Sequence, residues 1–143
     1  MTGAVSSSNY GDRQLSNPVG NISTTETSMG LGCSITPQNT GRVFIIMSGM
    51  VLNSTAAGSG VIITGRRGTG VAPVNGAISG FGSVWGAQQH FIASTTAGQQ
   101  GFSLHAIVSG LPLNTTVWFD LSIVATTSGG ATIKDISFNA IEI

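Results

Sequence analysis

Charge is what this sequence has least of. Asp, Glu, Lys and Arg make up 7% of its 143 residues, against about 25% in an ordinary soluble domain. The hydrophobic share, 41%, is ordinary. Five acids and five bases cancel to a formal net charge of zero. A polar surface built from Ser, Thr, Asn, Gln and backbone at Gly, with little repulsion between copies, suits closely spaced neighbours and predicts assembly. The plainer alternative is a secreted or repeat-type β protein whose Gly and Thr serve only turns and strands. The bases are scattered: Arg66-Arg67 is the one adjacent pair, with Arg13, Arg42 and Lys134 far apart. A phosphate-tracking stripe is missing, so no nucleic-acid partner is expected.

Other absences narrow the class further. The single Cys33 excludes an intrachain disulfide, which leaves packing and association to stabilise the fold. The start, MTGAVSSSNYGDRQ, has neither the basic nor the apolar region of a signal peptide. The longest apolar run, Val43 to Met47, is the length of a strand rather than a membrane span. The expectation is a soluble protein made in a cytoplasm, with no membrane partner.

Reactive groups are as sparse as charges. His90 and His105 both fall in strand-like runs, and the nearest acids, Asp120 and Asp135, stand at no ligand spacing. Cys33, between Gly32 and Ser34 in a strand-like run, reads as a buried inert thiol rather than a nucleophile paired with His. Five dispersed acids offer no carboxylate pair flanked by aromatics for glycoside hydrolysis. Gly65-Arg66-Arg67-Gly68-Thr69-Gly70 has glycines but lacks the Lys-Ser/Thr ending and following helix of a phosphate loop. It reads as an exposed loop whose two guanidiniums meet carboxylates on a partner. Asn21-Ile22-Ser23, Asn53-Ser54-Thr55 and Asn114-Thr115-Thr116 match the glycosylation sequon, but without an export signal they read as chance matches. No enzyme activity, metal or cofactor is expected.

What is present is strand pattern. Val117, Phe119, Leu121 and Ile123 alternate with Trp118, Asp120 and Ser122, so one set lies on each face of a sheet. After a turn at Ser128-Gly129-Gly130 come Ile136, Phe138 and Ala140, and then Ile141 and Ile143 in the opposite phase. A bulge near Asn139 to Ala140, or a strand buried on both sides, accounts for that switch. Arg42 to Leu52 is apolar on both faces and reads as a central strand covered on both. Ile22 to Ile35 is β-prone, Pro37 to Gly41 is a turn, and Gly60 to Thr64, Val84 to Thr95 and Gly101 to Ser109 are further strands. Gly65 to Ser83 is a surface loop containing Asn75-Gly76, a pair favoured in type I′ turns. Asn53 to Ser59 is read as a loop and Ala97 to Gln100 as a turn. Short strands about ten residues apart, without helical periodicity or a fixed repeat, predict an all-β fold: an antiparallel two-sheet β-sandwich or jelly roll.

One domain spans residues 22–143, and a chain of this size buries roughly 70% of its unfolded surface. Residues 1–21 form an extended or flexible N-terminal arm. Two readings stand for it, a mobile tail or a segment ordered along a neighbouring subunit, with Tyr10, Leu15 and Val19 as its anchors. Two also stand for Trp118: an outward subunit contact, or a ring beneath a loop.

The runs Leu31 to Pro37, Thr40 to Val43, Gly68-Thr69-Gly70 with Ala72-Pro73 and Asn75-Gly76, Gly110-Leu111, Val117 to Leu121, and Ala140-Ile141-Glu142 cover most of the chain from Ile22 onward. In them the sequence resembles the jelly-roll capsid cement and decoration proteins of tailed bacteriophages. These motifs are mostly turn and strand signals. The resemblance implies a virion structural protein on the capsid exterior that bridges copies of the major capsid protein and stabilises the shell. It implies no short functional motif. A small homo-oligomer, dimer or trimer, is expected, with Tyr10, Arg66, Arg67 and Trp118 as partner contacts. The alternative is a receptor- or carbohydrate-binding domain of a tail or head fibre. A fibre tip would follow a long repetitive stalk, whereas this sequence opens on Met1. A sugar-active enzyme is a third and weaker reading.

Overall fold

The computed structural model describes residues 10–15, 24–53, 60–78, 80–92, 99–126 and 131–143. Among them every regular element is a strand: β1 (Tyr10–Leu15), β2 (Thr27–Ser28), β3 (Cys33–Ile35), β4 (Val43–Asn53), β5 (Gly60–Thr69), β6 (Ser83–Ile92), β7 (Gln99–Val108), β8 (Val117–Ala125) and β9 (Ala131–Glu142). They form two antiparallel sheets, as the alternation predicts. Sheet A has the order β1-β9-β4-β7, and sheet B the order β2-β8-β5-β6 with β3 also on β8. Successive strands mostly alternate between the sheets, so the architecture is a jelly-roll sandwich.

The core lies between the sheets. β4 contributes Val43, Ile45, Met47 and Val51, β8 contributes Val117, Phe119, Leu121 and Ile123, and all eight are buried. Trp85 joins the layers, its ring edge-on to Phe119 of sheet B at 6.4 Å and stacked on Phe138 of sheet A at 5.9 Å. Each such large side chain contributes about 1.5–3 kcal/mol on burial. Cys33 is buried in the same core.

Several boundaries differ from the sequence reading. β5 runs to Thr69, so Arg66 and Arg67 stand in a strand paired on both sides instead of in a loop. Its glycines misled because they make room for rings: a Cβ on Gly65 would meet Trp85 at 2.5 Å, and one on Gly68 would meet Trp118 at 2.4 Å. At Asn75-Gly76 the Ala77 amide donates to the Val74 carbonyl at 3.1 Å. Only Gly76 takes a positive φ there, so the turn is type II rather than I′. The register between β4 and β9 shifts between Ser48 and Met50, opposite Lys134 to Ser137. Asp135, at φ 55, carries the bulge, upstream of Asn139 to Ala140. Gln99 and Gln100 open β7. β4 is central, between β9 and β7, yet Ile46 on its outer side is 40% exposed, so the strand is not covered on both faces.

Tyr10–Leu15 pairs with β9 of the same chain, from Tyr10 opposite Ile141 to Leu15 opposite Ile136. Ile22, Val19, the 54–59 loop residues and the Ser128-Gly129-Gly130 turn lie outside the described residues. Where β6 and β7 face each other across the sandwich, side chains reach backbone. Gln89 Nε2 donates to the Ser103 carbonyl at 2.9 Å, and Gln100 Nε2 to the Ile92 carbonyl at 3.0 Å.

Candidate partner interface

The polar side chains most worth following lie on the side of sheet B away from the core. Alternation along β8 turns Trp118, Asp120 and Ser122 to that side, and all three are buried. Residues 24–31 and the 70–82 loop cover them. The Ser28 amide donates to the Ala77 carbonyl at 2.8 Å, and the Gly76 amide to the Ser28 carbonyl at 2.9 Å. Loop and β2 are thereby tied edge to edge. Gly30 sits at the crossing with φ +67, and a Cβ there would lie 2.4 Å from the Asn75 amide nitrogen.

Asp120 anchors this cover. Its carboxylate accepts the Leu31 amide at 2.8 Å, its own neighbour Leu121 at 2.8 Å, the Gly30 amide at 3.1 Å and the Ser28 hydroxyl. Burial pushes the carboxyl above its ordinary value, while these hydrogen bonds pull the other way. Beside it Glu26 pairs with Arg66 and accepts the Ser122 hydroxyl. Arg66 Nε also donates to Ser122 Oγ at 3.1 Å, and the guanidinium lies 5.4 Å above the Phe81 ring. Trp118 lies across Gly68 and donates its indole N–H to the Thr69 carbonyl at 3.2 Å.

A second anchor closes one end of the sandwich, where the 36–42 and 109–116 connections meet. Glu142 accepts backbone amides from Gln38 at 2.9 Å, Asn39 at 2.8 Å, Thr40 at 2.8 Å and Gly41 at 3.2 Å. The Gln38 amide leads these bonds in holding the carboxyl down to about 2, against a smaller upward push from burial. The neighbouring connection is bound to the same turn: Asn114 donates to the Pro37 carbonyl at 2.7 Å, and Leu111 to the Gly41 carbonyl at 3.0 Å. Only glycine fits at Gly41, where φ is +62 and a Cβ would lie 2.5 Å from the Leu111 carbonyl oxygen.

These anchors place the residues that the sequence suggested for partner contact. Trp118 is buried under the loop, the second of its two readings, because Gly68 leaves a slot for its ring. Arg66 is engaged by Glu26, Ser122 and Phe81 within the chain. Arg67 is half-buried, and its Nε has no hydrogen-bond partner among the described residues. Tyr10 is the first residue of β1, and its side chain lies outside the described ones. His90 sits on β6 of sheet B and His105 on β7 of sheet A, both exposed and on different sheets, with Cys33 inside the core. Among the described residues no three His, Cys, Asp or Glu side chains gather.

The sequence reading of Gly65 to Ser83 as a surface stretch agrees with the exposure of its apolar side chains beyond β5. Val71, Val74 and Ile78 on the 70–82 loop are 94%, 72% and 67% exposed, and Leu113 and Ile143, in other segments, are 46% and 47% exposed. Isolated Val and Ile in a Gly-rich stretch carry no periodicity, and that is what set them apart from core residues.

No protein-family model matches the chain, and no curated protein sequence matches it. Solved structures do. The chain is similar to Eiger TNF from S. frugiperda, with a TM-score of 0.52 at 7% identity over 96% of this chain and 94% of that one. It is similar to a chain of Broad Bean Stain Virus, with a TM-score of 0.35 at 13% identity over 98% of this chain and 86% of that one. It also aligns with tailspike protein 4 of bacteriophage CBA120, with a TM-score of 0.34 at 10% identity, over 91% of this chain but 19% of that one. At 7% identity, the likeness to Eiger TNF shows the fold alone.

Proposed function

We propose that the chain is a non-enzymatic structural protein of a bacteriophage virion. It cements or decorates the outer surface of the capsid, bridges major capsid protein subunits and stabilises the shell. It is made in the host cytoplasm and works as a small homo-oligomer. The observation that carries this reading is the use to which its acids are put. Asp120, Glu142 and Glu26 hold segments of the chain together, through the amides of 30–31, the amides of 38–41 and the Arg66 guanidinium respectively. What remains outward is a low-charge, apolar-studded surface on pinned loops, suited to contact by shape. On a symmetric shell many modest contacts of this kind add up, because each bridge is repeated by every symmetry-related neighbour. The sequence resemblance to phage cement proteins points the same way.

The test is co-sedimentation with emptied or expanded capsids that lack the protein. Stoichiometric binding and a higher temperature of shell disruption are expected. Failure to bind shells, together with binding to host cells or glycans, would replace this reading with the fibre-domain one.

A further inference from the structure

We infer that the outer face of sheet A is the surface through which the chain pairs with a second copy of itself, face to face across a twofold axis. The inference rests on the homo-oligomer of the proposed function and adds to it the surface used and its symmetry.

The strand register makes this face continuous. Phe44 of β4 stands opposite Ile107 of β7 on one side and Ile141 of β9 on the other. Residues directly opposite each other share a face, with Cβ atoms about 5 Å apart. One step along β4 on the same face, Ile46 lies between His105 and Asn139, and the step after that is serine on all three strands. Ile107 and Ile46 are exposed, and Phe44 and Ile141 are half-buried. Apolar side chains that adjoin in this way form a patch, and such a patch marks an interaction surface where single exposed residues do not.

Charge and area select the occupant. In a twofold contact each group is presented twice, so a net charge on the face would repel its own copy. In the rows of Phe44, Ile46 and Ser48 no Asp, Glu, Lys or Arg stands on β4, β7 or β9. The charged positions at the margins are Asp12, in register with Asn139 on edge strand β1, and Lys134, opposite Met50 beyond the bulge. Their signs cancel. A partner recognised by its charge would find none in these rows to pair with, whereas a copy meets nothing that repels it. The 11 residues of β4 at about 3.4 Å each, and the four strands of the sheet at about 4.8 Å, give a face of roughly 37 by 19 Å, about 700 Å² in plan. Side-chain relief raises the accessible area toward the roughly 800 Å² per partner of a stable interface. An identical sheet also has the twist that lets two faces pack about 10 Å apart with their strands within about 30°.

The experiment weighs the wild-type chain by sedimentation equilibrium over a range of concentrations, beside Ile107→Asp, Ile46→Asp and, as a control that adds the same charge, Val74→Asp on the 70–82 loop. All three positions are exposed, and melting temperatures taken at dilution, where each protein is a single chain, check that the variants fold. Ile107→Ser replaces the aspartate if that variant does not fold. The wild type should reach the mass of a dimer. Ile107→Asp and Ile46→Asp should each raise its dissociation constant about tenfold or more, with Val74→Asp dissociating as wild type. A wild type that stays a single chain at every concentration overturns both this contact and the homo-oligomer. An oligomer that neither sheet A variant weakens leaves the homo-oligomer standing and overturns this face as its contact. A mass of three chains overturns the twofold axis, and Val74→Asp weakened as much as the other two would trace the effect to net charge and overturn the assignment. Should a single-chain wild type co-sediment with shells of the major capsid protein while Ile107→Asp does not, the capsid covers this face and the second copy is overturned.

Discussion

Sheet B buries Trp118, Asp120 and Ser122 on the side away from the core, whereas sheet A leaves Ile46 and Ile107 open on its corresponding side. The two sheets share one hydrophobic interior, yet the chain has laid its own segments over one and not over the other in the described residues. Covering a sheet brings polar groups out of water, and each must then find a partner. Asp120 shows the solution: one carboxylate collects the donors of a segment that belongs to no long strand. An uncovered face has no such requirement. Ser48, Ser103 and Ser137, in register across β4, β7 and β9, are exposed to solvent.

The largest way to break this difference is Trp118→Ala. It empties the slot over Gly68, and a loss of about 3–5 kcal/mol is expected in urea denaturation. Unchanged stability would mean that the cover contributes nothing. Asp120→Asn should come next. Its amide N–H2 would face either the Gly30 or the Leu31 amide, donor against donor, at a cost of about 1–3 kcal/mol.

Glu142→Gln should have a smaller effect, and one that depends on pH. A carboxyl held down to about 2 contributes stability that is full above its ordinary value of 4.5 and is lost as pH falls through about 2. Wild type and variant should therefore differ near neutrality and converge at about pH 2, as read from melting temperatures. A difference that persisted at the lowest pH would contradict the amide cradle. Asp120 has the opposite sign: its raised value gives a contribution that is full below 3.8 and is lost as pH rises through the folded value. In a Glu142→Gln background the remaining acid dependence should show that inverse slope. Smallest of all, Ile107→Ser on the bare face should change the stability of the isolated chain by no more than about 0.5 kcal/mol. A larger loss would show that this face is covered in solution, and sedimentation would identify a second copy as the cover.

The sequence revealed strands where burial alternates and misled where space was the issue. β4, β7 and β8 were legible because Val43 to Met47, Phe102 to Val108 and Val117 to Ile123 repeat every second residue. The last five residues of β5 were not, since Gly65 and Gly68 signal a loop unless the rings of Trp85 and Trp118 are known to lie against them. The anchors were out of reach for a different reason. Arg66 meets Glu26 across 40 residues, and Glu142 meets the 38–41 amides across more than 100. Pairings at that distance are set by strand order, which local pattern does not encode. Trp118 was legible as a choice between two environments, and the glycine opposite it, read together with the register, decides the choice.

The glutamines between β6 and β7 bear on what the open borders of the two sheets can do. A nearly uncharged chain with an open sheet border is liable to add strand upon strand into fibres, because carbonyls on that border accept any amide that arrives. Gln89 and Gln100 take up two of those carbonyls in advance. Two carbonyls already engaged within the chain are two fewer at which another copy can add as a strand.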